Sequence, residues 1–123
     1  MNAIEVMNAM AVAYNARDID AMMNLISDNC IMQQDRGEIL TAGKPSIREF
    51  YSNGFKNHPN LHLEIKEHLN VGTALLVKEF NTGYVVDGKE IDFESAWAYQ
   101  ILDGKIELMH YFSAEYKRAS TDF

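Results

Sequence analysis

The second half of the chain alternates between apolar and polar positions in several short runs, and turn residues separate these runs. Asp-Gly occurs at 87–88 and again at 103–104, each time between apolar residues. This dipeptide is typical of tight β-hairpins, because Gly adopts the positive φ that the turn requires. From 91 to 101 the odd positions are mostly large and apolar, whereas the even positions are small or polar. We therefore predict antiparallel strands over about 75–86, 91–101 and 106–112.

A further strand is predicted just before this meander. Residues 61–70 alternate, with Leu61, Leu63, Ile65 and Leu69 on one face and polar residues on the other. Gly83 lies inside the following run, and an internal Gly in a strand predicts a bulge or a bend that curls the sheet.

The first half of the chain has helical spacing instead. Apolar residues recur every three or four positions over 3–16, after Asn2 and Glu5, which form a capping-box pattern. Asp18 is the expected N-cap of a shorter second helix whose apolar stripe reaches Ile26. Pro45 predicts the first turn of a third helix that ends near residue 57.

Short strand candidates lie at Cys30–Gln34 and 39–41, on either side of a turn, and the polar tail from Ala114 is expected to fray. Helices that precede a run of strands predict an α+β fold. We expect one domain over residues 1–123, with three N-terminal helices packed on a curved, mostly antiparallel sheet. Such a sheet closes part of a cone and leaves a pocket under the helices.

Charge and composition narrow the range of partners. The net charge of −7 argues against nucleic acid and against an anionic membrane, since both are bound by clustered Lys and Arg. We expect neither a signal peptide nor a membrane span, because polar and acidic residues follow Met1 and no run of about 18 apolar residues occurs, and the lone Cys30 suits a reducing compartment. A cytoplasmic protein is the resulting expectation.

Four segments carry a resemblance to a known family. They are 14–20 between the first two helices, 26–30 entering the first strand, 43–51 in the third helix and 103–106 in the last hairpin. In order and spacing the chain resembles the NTF2-like superfamily, and within it the SnoaL-like and steroid Δ5-isomerase-like proteins. The resemblance implies an NTF2-like (cystatin-like) cone, a homodimer and an apolar cavity for small molecules. It leaves the chemistry open, because fold does not fix function.

Steroid isomerases of this fold combine a carboxylate base on the first strand with a tyrosine and a protonated aspartate as oxyanion donors. On this sequence those three positions fall on Gln34, Met10 and Trp97. Gln34 is not a base and Met10 donates no hydrogen bond, so the catalytic set of the steroid isomerases is not intact in this chain.

Two nearby side chains are candidate substitutes for that set. Asp35 follows the base position and would reach the pocket only through a bulge; the alternative is a plain turn residue. Tyr14 lies one helical turn after Met10 and is a candidate donor; the alternative is a buried core tyrosine.

The pocket itself is expected to bind a small apolar or aromatic molecule. The predicted ligand-binding residues are the large or polar side chains on the inward faces, namely Met10, Tyr14, Met32, Gln34, Tyr51, Ser95, Trp97, Tyr99 and Met109. The four His residues have no metal-ligand spacing, so we expect no metal, and nothing in the sequence indicates a cofactor. The pattern of 106–112 leaves open which face of that strand is inside and whether His110 points away.

Three functional hypotheses remain. The first is a SnoaL-like small-molecule-binding protein. The second is an isomerase, cyclase or dehydratase of the same family that uses Asp35 as base, with Tyr14 or Trp97 as donor. The third is a dimeric scaffold whose cavity is filled by its own side chains. Whether the chain is an enzyme is left open by the sequence.

Overall fold

The computed structural model describes residues 1–112, in which three helices and six strands follow one another along the chain. The elements are α1 (Ala3–Asn15), α2 (Ile19–Met23), β1 (Ile26–Gln34), β2 (Glu38–Ala42), α3 (Lys44–Asn57), β3 (His62–Val71), β4 (Ala74–Val86), β5 (Lys89–Leu102) and β6 (Lys105–Phe112). The expected α+β architecture with three helices is confirmed. The prediction for the tail from Ala114 lies outside the described residues.

The six strands form one sheet in the order β2-β1-β6-β5-β4-β3. All neighbouring pairs are antiparallel except β1 and β6, which are parallel. This pairing places β1 beside β6, the last strand within residues 1–112. Two segments that lie far apart in sequence therefore meet inside the sheet.

The start of β1 differs from the prediction. The second helix ends at Met23 instead of reaching Ile26, and Ile26 already pairs with Ile106 of β6. The backbone N–H of Ile106 also donates to the carbonyl of Leu25 at 2.9 Å. This parallel pairing satisfies the backbone hydrogen-bonding groups of residues 25–26. The backbone therefore leaves the helix before these residues, although their apolar side chains continue the helical spacing.

Helix α1 is fixed at both ends. At its start, Asn2 and Glu5 form the predicted capping box, with reciprocal hydrogen bonds of 2.9 and 3.0 Å, an arrangement that contributes about 1 kcal/mol. At its end, the Asn15 side chain donates to the carbonyl of Leu63 and accepts from its N–H, both at 2.9 Å. Tyr14 is thereby held at a fixed place over the sheet.

The core lies between the helices and the concave face of the sheet. Its fully buried side chains come from all three helices and from the sheet, and they include Val6 of α1, Met22 of α2, Ile47 of α3, Met32 of β1 and Leu75 of β4. Each such side chain contributes about 1.5–3 kcal/mol by leaving water. No helix of residues 1–112 is long and apolar enough to cross a bilayer.

Strand β3 corrects one predicted face. Ile65 pairs with Glu79 but Glu67 pairs with Lys78, so Lys66 is an extra residue in a bulge. A bulge of one residue exchanges the two faces of the strand beyond it. Leu69, which we predicted on the buried face, is therefore turned outward and is 60% exposed.

Candidate functional site

A cavity of about 740 Å³ lies between the concave face of the sheet and the helices. Its volume falls within the range of small-molecule sites, which is roughly 300–1,000 Å³. Four large apolar residues of the lining are partly exposed and mark the mouth: Leu40, Phe50, Tyr84 and Ile91. A cavity of this size does not fit the hypothesis of an interior filled by the chain's own side chains.

The structure brings together all nine residues that we expected to contact a ligand. They come from five elements, and the cavity lining includes Met10 and Tyr14 of α1, Met32 and Gln34 of β1, Tyr51 of α3, Ser95, Trp97 and Tyr99 of β5, and Met109 of β6. Met109 is 1% exposed, so the odd residues of this part of β6 face inward.

Two aromatic rings of β5 form a wall of the cavity. Trp97 and Tyr99 are two residues apart on one face, and their rings are nearly parallel, with an angle of 8° and a centroid distance of 5.8 Å. Tyr111 of β6 adds a third ring whose centroid lies 4.9 Å from that of Trp97. Parallel aromatic faces of this kind suit a flat apolar molecule.

The helical side of the cavity carries two tyrosines that stay protonated. Burial, and secondarily the charge of Glu79, raises the pKa of Tyr14 to about 12. Burial likewise raises the pKa of Tyr51, whose hydroxyl lies 3.5 Å from the sulfur of Met109. The ring of Tyr14 packs edge-on against Tyr51 at 6.1 Å and against Phe55 at 5.0 Å. Both hydroxyls are therefore neutral hydrogen-bond donors near neutral pH.

Asp35 is not part of the cavity lining. It lies in the turn after β1 with a φ of +48°, and its N–H donates to the carbonyl of Tyr111 at 3.0 Å. Asp is among the residues that tolerate this left-handed conformation, which explains its presence in the turn. The geometry therefore gives no support to Asp35 as a base that acts inside the cavity.

The carboxylate inside the cavity is Glu79 of β4, which sequence reasoning missed. Its side chain is buried, with 4% of the residue exposed, and one carboxylate oxygen accepts a hydrogen bond of 2.8 Å from the Tyr99 hydroxyl. Burial raises the pKa of Glu79 to about 7, although the bond from Tyr99 lowers it. A carboxyl with this pKa is present in both protonation states near neutral pH, which suits a general acid or base.

A bulge at Gly83 changes which residues of β4 face the cavity: Glu79 and Asn81 face inward before it, and Tyr84 faces inward after it. Tyr84 pairs with Ile91 but Asn81 pairs with Phe93, so two residues of β4 stand opposite a single residue of β5. Gly83 adopts a φ of +78° in this bulge, and a Cβ there would collide with the carbonyl of Asn60. On the other side of the bulge, Glu79 is directly opposite Ser95 and therefore shares its inward face. The register of β4 with β5 thus identifies Glu79 as a site residue.

The carboxylates of the cavity lining are not balanced by basic side chains among the described residues. Among residues 1–112, no Lys or Arg lines the cavity, whereas Glu79 lies inside it and Glu94 lies at its exposed edge. Glu94 pairs with Lys78 at 3.0 Å across the outer surface, but Glu79 forms no ion pair with a described residue. The cavity therefore favours neutral or positively charged molecules over carboxylates and phosphates.

Two histidines near the cavity have structural partners. His110 lies on the outer face of the sheet, where its Nδ1 is 2.8 Å from the Gln33 side chain. His58 accepts the N–H of Val85 at 2.9 Å and stacks on Tyr84 at 4.1 Å. No group of three or more metal-ligating side chains exists within residues 1–112.

Comparison with known proteins agrees with this architecture. The SnoaL-like domain family matches residues 7–109. A cystatin-fold protein from Novosphingobium aromaticivorans superposes with a TM-score of 0.82 at 29% identity, over 92% of this chain and 99% of that one.

Two more distant structures share the fold. A candidate SnoaL-like polyketide cyclase from Jannaschia sp. CCS1 has a TM-score of 0.78 at 16% identity, over 95% of this chain and 88% of that one. A protein with a ketosteroid isomerase-like fold from Catenulispora acidiphila, in complex with trimethylamine, has a TM-score of 0.78 at 14% identity, over 92% of this chain and 87% of that one. No protein with a curated description matches the sequence significantly.

The family match covers most of the chain, and the architecture of three helices with a six-stranded, mostly antiparallel sheet agrees with it. The resemblance seen in the sequence is thus confirmed. This chain belongs to the SnoaL-like family of the NTF2-like fold.

Proposed function

We propose that this protein is an enzyme that moves a proton on a small, largely apolar substrate, with Glu79 as the acid–base group. The observation that carries the proposal is the position of Glu79, a buried carboxyl in a cavity walled by aromatic and methionine side chains. Burial brings the pKa of this carboxyl to about 7, so it both accepts and returns a proton near neutral pH.

The surroundings of Glu79 support this role. Tyr99 donates to one carboxylate oxygen and fixes the side chain, while no second hydrogen bond to Glu79 is found among the described residues. One edge of the carboxylate is thus left for a substrate C–H or O–H. The aromatic rings of Trp97 and Tyr99 would hold a flat molecule beside it.

Isomerisation, cyclisation and dehydration of carbonyl compounds all begin with such a proton transfer. The relative from Jannaschia is named as a candidate polyketide cyclase, which agrees with this group of reactions. Glu79 replaces Asp35 as the proposed base, because Asp35 lies in a turn outside the cavity lining.

A second candidate function is binding without chemistry. It is favoured by the incomplete steroid-isomerase set, since Met10, Gln34 and Trp97 occupy those three positions. In this interpretation the Glu79–Tyr99 pair only recognises a polar group of the ligand.

One pair of variants distinguishes the two functions. A thermal-shift screen of wild-type protein with flat apolar carbonyl compounds identifies ligands, and Trp97→Arg, which places a charge in the aromatic wall, should abolish the shifts. Glu79→Gln keeps the shape of the side chain but cannot accept a proton. We expect this variant to keep ligand binding while turnover of the same compounds falls at least about 100-fold. Equal turnover by both proteins would refute Glu79 as the acid–base group.

We also propose that the protein is a homodimer, as the family resemblance implies. The outward-facing residues Leu69, Val71 and Leu76 are 60%, 58% and 39% exposed and lie together on the convex face of β3 and β4. An exposed apolar patch of this kind is typical of an interface, and we assign it to a second copy of this chain.

A further inference from the structure

Two buried polar side chains accompany Glu79 on the floor of the cavity. Ser95 stands directly opposite Glu79 in the pairing of β4 with β5, a position in which Cβ atoms are about 5 Å apart. Asn81 follows two residues after Glu79 on the same face. The exposed fractions of Ser95 and Asn81 are only 3% and 8%. These three residues form a continuous polar strip within an otherwise apolar wall.

The hydrogen bonds of Asn81 determine whether the Ser95 hydroxyl accepts or donates in its contact with Asn81. The Asn81 side-chain NH₂ donates to the Ser95 hydroxyl oxygen at 2.8 Å and to the backbone carbonyl of Phe93 at 3.4 Å. A backbone carbonyl can only accept, so this contact fixes the orientation of the amide. Ser95 is therefore the acceptor of the shorter bond.

The hydroxyl hydrogen of Ser95 remains available as a donor. A serine hydroxyl has one hydrogen to donate besides its lone pairs, and within residues 1–112 no acceptor for it is found. The residue lines the cavity, so the natural acceptor is an atom of the bound molecule. A buried donor without a protein acceptor costs about 1–3 kcal/mol when it stays unsatisfied, and a ligand oxygen removes that cost.

We propose that Ser95 donates a hydrogen bond to the carbonyl oxygen of the substrate and that Asn81 positions Ser95 for this role. The substrate class is then an uncharged, flat carbonyl compound with a C–H next to the carbonyl carbon. This inference rests on the proposed function, because it supplies the oxyanion donor that a base at Glu79 needs.

The step is balanced without any cofactor or oxidant. A carboxylate oxygen of Glu79 takes the proton of the C–H, and the electron pair of that bond forms the carbon–carbon double bond of an enolate. The carbonyl π electrons move onto the oxygen, where the hydroxyl of Ser95 stabilises the negative charge. Glu79, now neutral, returns the proton to a carbon of the enolate. A substrate without charge also agrees with a lining that has no Lys or Arg among the described residues.

Hydrogen–deuterium exchange of a model ketone tests the inference directly. The probe is 2-tetralone, a flat bicyclic ketone, and ¹H NMR in D₂O follows the loss of its signal at the carbon between ring and carbonyl. Wild-type protein should accelerate exchange, and Glu79→Gln should not. Ser95→Ala should lower kcat about 100-fold, as loss of one oxyanion donor does, with little change in KM. Ser95→Thr keeps the hydroxyl and should restore most of the rate that Ser95→Ala loses.

The role of Asn81 needs a separate variant. Asn81→Asp keeps the shape of the side chain, but its carboxylate would accept the hydroxyl hydrogen of Ser95 and withdraw it from the substrate. We expect kcat to fall as in Ser95→Ala while KM and the near-UV circular dichroism stay unchanged. Should Ser95→Ala fail to fold, this variant still tests the hydrogen-bond direction. Ser52→Ala, an exposed serine of α3 outside the cavity lining, is the matched control and should be unaffected.

The exchange rates of the variants separate the role of Ser95 from that of Glu79. Exchange that requires Glu79 but proceeds equally in Ser95→Ala overturns the inference and leaves the proposed function intact. The same holds if Tyr14→Phe, and not Ser95→Ala, removes the acceleration, because the donor is then the Tyr14 hydroxyl. If wild-type protein exchanges 2-tetralone no faster than Glu79→Gln, the proposed function fails and the inference with it.

Discussion

Replacing Glu79 by glutamine should make the stability of the protein much less dependent on pH. The carboxyl of Glu79 is buried, which raises its pKa from the ordinary 4.5 to about 7 in the folded protein. Between these two values the folded state holds a proton that the unfolded state has already released. Wild-type stability must therefore fall as the pH rises through this range. A glutamine side chain at this position has no proton to lose, so the variant lacks this contribution.

The expected magnitude follows from the two pKa values. The difference between 4.5 and about 7 corresponds to about 3 kcal/mol of unfolding free energy. Between about pH 5 and about pH 8.5, wild-type stability should fall by about 2.5 kcal/mol of this total. The Glu79→Gln variant should gain this amount relative to wild type over that pH range. Because only 4% of the residue is exposed, solvent screening reduces the effect little.

Urea unfolding of both proteins at several pH values measures the effect. Glu94→Gln is the matched control, since Glu94 is a carboxylate of the same sheet whose side chain is 53% exposed and paired with Lys78. Its removal should change stability by less than about 1 kcal/mol at every pH. The reasoning about burial is refuted if the difference between wild type and Glu79→Gln is the same at both ends of the range.

Three further variants test other parts of the structure. Tyr99→Phe removes the hydrogen bond that lowers the pKa of Glu79, so ¹³C NMR should find that pKa above about 7; an unchanged value would contradict the contact. Gly83→Ala adds a Cβ against the carbonyl of Asn60 in a left-handed backbone, and unfolding should show a loss of at least about 2 kcal/mol. A variant as stable as wild type would mean that the bulge is absent. Leu69→Glu should convert a dimer into a monomer in light scattering; a monomeric wild type or a dimeric variant would refute the proposed interface.

The sequence predicts most of the elements because their local signals and their tertiary contacts agree. The capping box of Asn2 and Glu5 starts α1, and Asp-Gly closes both long hairpins in the structure as predicted. The prediction was wrong at the end of α2, where helical spacing continues but parallel pairing with β6 decides the backbone. A partner strand about 80 residues away leaves no local signal.

The candidate site was predicted in outline but without its central residue. The odd positions of β5 predicted an inward face with Ser95, Trp97 and Tyr99, and these side chains line the cavity. Glu79 was missed because the positions of β4 that face inward change from odd to even numbers at the Gly83 bulge. The position of that bulge was predicted. Assigning the inward face separately on each side of the bulge would have identified Glu79.

A titration of the Glu79 carboxyl decides whether the cavity holds a buried acid–base group. The δ-carbon of glutamate reports its protonation state in ¹³C NMR, and the Glu79→Gln spectrum assigns the signal. We expect a pKa of about 7 for Glu79, because the carboxyl is buried in an apolar cavity and is hydrogen-bonded only by Tyr99 among the described residues. A pKa near the ordinary 4.5 would show a solvated or paired carboxylate and would contradict the account.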